Sequence, residues 1–262
     1  MGEPGRWALV LGASSGFGAA TAVELARAGH DVFGVHLDRK ATLPQADEVA
    51  RAIRELGREA RFYNVNAADD GKRREVAEHV AATLSERGGA KLSVLFHSLA
   101  FGTLKGAVGP DCLTRSQLEM TIDVMANSLL YWTQELCARG LFAKGAHVLA
   151  MTSEGDSLVW KSYGAVSAAK AALEAHVRQL AVELAPREIA VNALRAGVAD
   201  TPAARKIAGF AELQALSLRR NPHGRLTTPL DVARCVAAIA RPETCWMTGN
   251  VLGVDGGEHV SG

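Results

Sequence analysis

Cysteine is scarce and dispersed in this chain: Cys112, Cys137, Cys235 and Cys245 form no C-x-x-C pair. Neither a zinc site nor a disulfide framework is therefore expected. No apolar run is long enough to span a bilayer. The opening MGEPGRWALV does not read as a signal peptide, and Arg6 stands where a myristoylation signal wants Ser or Thr. Neither sign of charge dominates, since 29 Lys+Arg against 28 Asp+Glu leave a net charge of +1. Nothing marks the chain as a general nucleic-acid binder. What is present is 48% hydrophobic and 22% charged residues over 262 positions, enough to exclude disorder as the main state. A soluble, cytoplasmic protein forming one domain over 1–262 is the expectation.

Short apolar runs alternate with longer amphipathic stretches along the whole chain. The runs are Trp7–Leu11, Val32–Leu37, Ala60–Val65, Leu92–Phe96, His147–Met151, Ile189–Leu194 and Val251–Val254. Helix-like segments lie near 17–29, 44–57, 72–87, 114–139, 162–185 and 229–240. Runs apolar throughout suit strands covered on both faces, and their alternation with helices predicts an α/β fold. The expected architecture is a Rossmann-type, doubly wound parallel sheet of about seven strands. Asp200–Arg225 breaks the rhythm and reads either as a substrate-binding lid or as a surface loop.

The first run passes directly into Gly12-Ala13-Ser14-Ser15-Gly16-Phe17-Gly18 and then a helix. Gly12 allows a sharp turn, Gly16 allows backbone N–H groups to approach a pyrophosphate, and Gly18 allows close helix–strand packing. A glycine trio also serves any tight turn, but its place on the first strand of a doubly wound pattern points to a dinucleotide. In 162–185, Tyr163, Val166, Lys170, Leu173, Val177, Leu180 and Leu184 share one helical stripe. Tyr and Lys are the odd members, and by themselves would read as a core Tyr beside a snorkelling Lys.

The segments GASSGFG, YGAVSAAKAALEA, VNALRAG and MTGNVLGVDGG together resemble the short-chain dehydrogenase/reductase family, and the resemblance spans nearly the whole chain. It implies a nicotinamide cofactor and commonly a homotetramer. In relatives the Tyr–Lys pair supplies the acid and the ribose-binding cation, roles that fall here on Tyr163 and Lys170, with the Lys charge lowering the Tyr pKa. The cofactor-binding set implied is Gly12, Ser14, Ser15, Gly16, Phe17, Gly18, His36, Arg39, Asn64, Val65, Ser98, Leu99, Ala100, Tyr163, Lys170, Gly197, Val198 and Thr201. His36 stands where NAD-preferring relatives usually carry Asp, and Arg39 with Lys40 would pair a phosphate. NADPH is the expected cofactor, while Asp38, which would bind the ribose diol, favours NADH.

The family's usual Tyr precedes Lys by four residues, where this chain has Val166; Tyr163 precedes Lys170 by seven. Tyr is thus set back by nearly one turn on the same face. That spacing resembles the enoyl-acyl-carrier-protein reductases. A ketone takes hydride at the carbon that bears its oxygen. An α,β-unsaturated thioester takes hydride at Cβ while charge builds further along, so its oxygen donor should be displaced. His97-Ser98-Leu99-Ala100-Phe101 is similar to the H-S-[IL]-[AG]-F run of the same branch, and Ala196-Gly197 replaces the usual Pro-Gly. Met125 aligns with the proton-relay Asn of carbonyl reductases, and Asn127 lies two positions off. Ser153 departs from the second Tyr of many enoyl reductases and matches the catalytic Ser of ketone-reducing members; it would orient a carbonyl or bond the end of its strand.

The expected activity is NADPH-dependent reduction of a trans-2-enoyl thioester on acyl carrier protein or coenzyme A. Ketone or aldehyde reduction through Ser153 and Tyr163 is the alternative. A silent nucleotide-binding sensor would need only the glycine loop, so the retained Tyr and Lys argue against it. For an acidic carrier, Arg205, Lys206, Arg219, Arg220 and Arg225 would form a basic rim, or else be ordinary solvated arginines and lysine. The run Gly209–Leu218 would line an acyl pocket or pack the lid.

Overall fold

The alternation of apolar runs and amphipathic segments resolves into one parallel sheet with helices on both faces. The computed structural model describes residues 5–156 and 158–261. Met1–Pro4, part of the segment on which the absence of a leader was read, lie outside the described residues, as do Ser157 and Gly262. The strands are β1 (Arg6–Leu11), β2 (His30–His36), β3 (Ala60–Asn64), β4 (Lys91–His97), β5 (Phe142–Thr152), β6 (Ile189–Ala196) and β7 (Val251–Val254). Their order is β3-β2-β1-β4-β5-β6-β7, every pair parallel. The chain reverses its direction of winding between β1 and β4, and this switch point opens the ligand crevice beyond their carboxyl ends.

Strand alternation divides the core in two. Trp7, Leu9 and Leu11 of β1 face one layer, with Val76 and Val80 of α3 (Asp70–Glu86) and Leu173 and Val177 of α6 (Gly164–Leu184). Ala8 and Val10 face the other, with Leu25 of α1 (Gly16–Arg27), Ile53 of α2 (Leu43–Glu55) and Val236 of α8 (Pro229–Ile239). Trp7 stacks on Phe33 at 4.4 Å between ring centroids, tying β1 to β2.

Two elements differ from the sequence expectation. The helix expected at 114–139 consists of α4 (Arg115–Ile122) and α5 (Ser128–Ala138) joined by a π-helical turn, Asp123–Asn127. Its start carries a reciprocal capping box between Thr114 and Gln117. The break in rhythm at 200–225 holds a 3₁₀ turn (Ala204–Lys206) and a further helix, α7 (Phe210–Arg220). α7 buries Ser217 but leaves Leu216 and Leu218 exposed, so its apolar run is not consumed by packing. No helix among the described residues is long and apolar enough to cross a membrane.

Two fully buried histidines make the fold acid-sensitive. Burial lowers His30 to about 4 and His97 to about 3, the latter also because the Lys170 charge is near. Both stay neutral in the folded state, whereas the unfolded chain protonates them below about pH 6.5. The unfolded state therefore binds more protons, and stability falls as pH falls from about 6.5 toward 4. Urea unfolding between pH 7.5 and 5 should show a loss approaching about 1.4 kcal/mol per pH unit per histidine below pH 6.5. His30→Gln should remove about one proton from that slope. An unfolding midpoint independent of pH over this range would refute the assignment.

Candidate active site

The crevice begins with the turn after β1. Gly12 and Ala13 N–H groups both donate to the Val35 carbonyl, at 2.8 and 3.0 Å, and Ser98 N–H donates to Leu11 O at 2.9 Å. The turn is so close to β4 that a Cβ on Gly12 would stand 2.4 Å from Ser98 O, at a backbone φ of +89°. A Cβ on Gly18 would stand 2.0 Å from Gly12 O, which is the close helix–strand packing expected of it. Gly16 faces Thr201, buried five residues beyond β6, so the Gly12 turn, Ser98 and Thr201 converge around the head of α1. Ser15 is the N-cap of α1 but makes no side-chain capping bond, and the first turn holds no acidic residue. Uncapped amides and the positive end of the helix dipole suit an anion. This donor set fits the pyrophosphate of a dinucleotide.

At the end of β2, His36 is buried and its Nδ1 meets Asp38 Oδ2 at 2.8 Å. Partial burial pushes the Asp38 carboxyl upward, but hydrogen bonds from Thr42, Ser14 and His36 outweigh it and hold the group below its ordinary value. Asp38 is thus an ionised carboxylate held by His36 beside the glycine loop. Asn64 locks this corner by accepting from Asp38 N–H at 2.9 Å and donating to Asp38 O at 3.0 Å, and Val65 N–H bonds His36 O at 2.8 Å. Arg39 and Lys40 are exposed.

Ser153 follows β5 directly, and its hydroxyl and the Tyr163 ring both lie against Gly155, close enough for Ser153 to lower the phenol's pKa. It also accepts Gly155 N–H at 3.3 Å. Gly155 backs the Tyr163 ring, since a Cβ there would fall 2.4 Å from Cε1, and Ser167 donates to Gly155 O. Tyr163 occupies the N-cap of α6 rather than its first turn, because Ser162 before it takes a left-handed φ of +62°. Burial raises the Tyr163 pKa and the nearby Ser153 hydroxyl partly offsets it. The expected lowering by Lys170 is corrected here. The Lys170 ammonium instead donates to Met151 O at 2.7 Å, and burial lowers it to about 8 against the opposing charge of Glu174. Tyr163 is therefore set up as a neutral hydrogen-bond donor.

Met125 packs with Val166 and Ala169, with Tyr163 at the edge of this cluster. Asn127 does not replace the relay Asn: its Oδ1 is engaged by His176 Nε2 at 3.1 Å. Gly197 is backed by Thr227 and Glu258, whose oxygens would lie 2.5 and 2.7 Å from a Cβ there. Leu99 packs against the Gly12 turn, Ala100 is exposed beside it, and Val198 is half-buried just past Gly197. Phe17, half-buried, packs on the α1-side core.

The expected basic rim is largely neutralised in place. Arg205 pairs with Asp200 at 2.6 Å, Arg225 with Asp231 at 2.7 Å, and Arg220 lies 3.8 Å from Glu154 and donates to Ser261 O. Lys206 and Arg219 remain exposed. Trp160 Nε1 donates to Ala208 O at 2.9 Å, joining the segment before Tyr163 to the approach to α7. Sequence reasoning missed Glu174, although a carboxylate four residues beyond Lys170 on a buried stripe was a signal for it.

A glycine-loop cradle at the switch point, with Ser, Tyr and Lys beside it, defines an oxidoreductase of the nicotinamide-dependent Rossmann type. The chain belongs to the short-chain dehydrogenase/reductase family: residues 12–259 match the family model described as Enoyl-(Acyl carrier protein) reductase. It is 33% identical to the cis-4-hydroxycyclohexanecarboxylate dehydrogenase of Sinomonas cyclohexanicum, covering 96% of each chain. It is 30% identical to a 3-oxoacyl-[acyl-carrier-protein] reductase of Aggregatibacter actinomycetemcomitans, over 95% of this chain and 97% of that one. The crystal structure of the enoyl-[acyl-carrier-protein] reductase (NADH) of Aquifex aeolicus superposes with a TM-score of 0.84 at 25% identity, covering 99% and 98%.

Proposed function

We propose that this oxidoreductase reduces the carbon–carbon double bond of a trans-2-enoyl thioester carried on coenzyme A or acyl carrier protein. The observation that carries this reading is the displacement of the phenol. Tyr163 lies seven residues before Lys170, and the position one turn nearer is Val166, buried against Met125. A donor held back from Lys170 suits an oxygen remote from the carbon that accepts hydride. A bound reduced nicotinamide cofactor would supply that hydride. Lys170 would hold the ribose hydroxyls and Tyr163 would donate a hydrogen bond to the thioester oxygen as negative charge builds on it. A proton taken up at Cα from solvent would then complete the reduction. A neutral, half-buried phenol suits this role, because it stabilises the developing enolate without first losing a proton.

A second reading is supported by one specific observation, the placement of the Ser153 and Tyr163 side chains together against Gly155. Such a pair would bind a ketone oxygen, as the likeness to the 3-oxoacyl reductase also suggests. Cofactor oxidation with crotonyl and acetoacetyl thioesters separates the readings. Preferential turnover of the crotonyl thioester is expected, and turnover of the acetoacetyl thioester alone would overturn the enoyl reading.

For the cofactor, Asp38 turns the proposal from NADPH, expected from His36 and Arg39, to NADH. A carboxylate held by His36 at the edge of the glycine loop suits a ribose diol and repels a 2′-phosphate. At an effective dielectric near 20, like charges about 4 Å apart cost about 4 kcal/mol, and solvent reduces this. Asp38→Asn should raise the ratio of NADPH to NADH kcat/KM by about tenfold or more, equivalent to roughly 1.4 kcal/mol. An unchanged ratio would refute the role of Asp38.

A further inference from the structure

α6 carries a second buried charge that the proposed reaction leaves unused. Glu174 lies one turn beyond Lys170 on a face whose other buried members are almost all apolar, and both side chains are less than 10% exposed, at 8% and 5%. Glu174 Oε1 accepts a hydrogen bond from Thr152 Oγ1 at 2.6 Å. Lys170 Nζ donates to the carbonyl of the preceding residue, Met151, at 2.7 Å. The two charged groups of α6 thus reach adjacent residues at the end of β5, immediately before Ser153.

Among the described residues, the other groups around Lys170 supply no countercharge. From β4 comes His97, whose Nε2 meets Ser128 Oγ at 2.8 Å. Ser128 spends its own proton on Val124 O at 2.7 Å, so His97 Nε2 is the donor, and burial with the nearby Lys170 charge keeps the ring neutral. From β5 come the Met151 carbonyl and the Thr152 hydroxyl; from the π-helical turn comes Met125, packed with Val166 and Ala169. Tyr163, at the head of α6, is neutral as well. An ammonium buried in such surroundings sheds its proton unless a carboxylate faces it.

We propose that Glu174 is a positioning residue whose carboxylate keeps Lys170 an ammonium, and so able to hold the cofactor's ribose hydroxyls, through neutral pH. The proposal rests on the reading of Lys170 as the ribose-binding cation. Thr152 aims the carboxylate, and the same strand end aims the ammonium. Glu174 is also the charge that opposes the lowering of Lys170 by burial.

The test is binding of reduced nicotinamide cofactor, followed by its fluorescence between pH 6 and 10, which needs no substrate. Wild-type affinity should decline as pH rises through about 8, where Lys170 loses its proton. Lys170→Met should remove that dependence. Glu174→Gln keeps an acceptor for Thr152 and removes only the charge. It should move the midpoint down by about one pH unit, a tenfold change in the proton equilibrium, with affinity at pH 6 within about twofold of wild type. Glu174→Asp retracts the charge without removing it and should move the midpoint the same way by less, and it decides the matter should the Gln variant fail to fold. A midpoint unmoved in the Gln variant, or in the Asp variant if only that folds, overturns the proposal alone, as does a loss of affinity uniform with pH. A wild-type curve flat across the range overturns both the proposal and the reading of Lys170 beneath it.

Discussion

Tyr163→Phe should lower kcat/KM on the true substrate by roughly 10²–10³, corresponding to about 2.7–4 kcal/mol of transition-state stabilisation. The size follows from where the hydroxyl sits. It is a half-buried donor beside Ser153, on a ring backed by Gly155, so its direction is set before substrate arrives. Phe keeps the ring in place, and the loss should fall on kcat with cofactor affinity unchanged. Ser153→Ala then divides the chemistries. Under enoyl reduction it should cost less than Tyr163→Phe, since Ser153 only orients the phenol. Under ketone reduction both hydroxyls bind the reacting oxygen and the two losses should be comparable. Near-native turnover by Tyr163→Phe would remove the phenol from the reaction.

Gly18→Ala should abolish cofactor binding or folding itself. The added methyl would lie 2.0 Å from Gly12 O and 2.8 Å from Gly12 C, both backbone atoms. No flexible side chain can swing aside, so either α1 lifts off the loop or the loop leaves β4, against which Gly12 is already pressed. Overpacking that displaces backbone costs about 1–3 kcal/mol or more. The same movement spoils the amides at the head of α1 that suit the pyrophosphate. Thermal unfolding and cofactor titration together check this. A variant that folds with wild-type stability and binds the cofactor normally would show that the tight packing is not needed.

Much of the fold was legible because its signals are local. Runs such as Val32–Leu37 and His147–Met151 are apolar on both faces, which only a strand between two helical layers requires, and the segments between them carry helical periodicity. α7 was not legible: its run GFAELQALSL lies in a segment rich in charge, and Leu216 and Leu218 stay exposed, so no buried stripe announced a helix. The π-helical turn at Asp123–Asn127 was hidden for a different reason. One extra residue in a helical turn leaves the apolar pattern nearly intact while sending Asn127 to His176.

The sequence by itself determined the strand–helix alternation, the glycine turn after β1 and the seven-residue offset of Tyr163 from Lys170, because each is a relation among residues near one another in the chain. Only the tertiary structure decided which charges meet. It brought Thr152 to Glu174 across 22 residues, Glu154 to His259 across 105, and Asp38 to Asn64 across 26. It also placed the Lys170 ammonium on Met151 O and left the Tyr163 phenol under the influence of Ser153. Burial and the direction of a long side chain depend on packing between elements, and no local pattern encodes them.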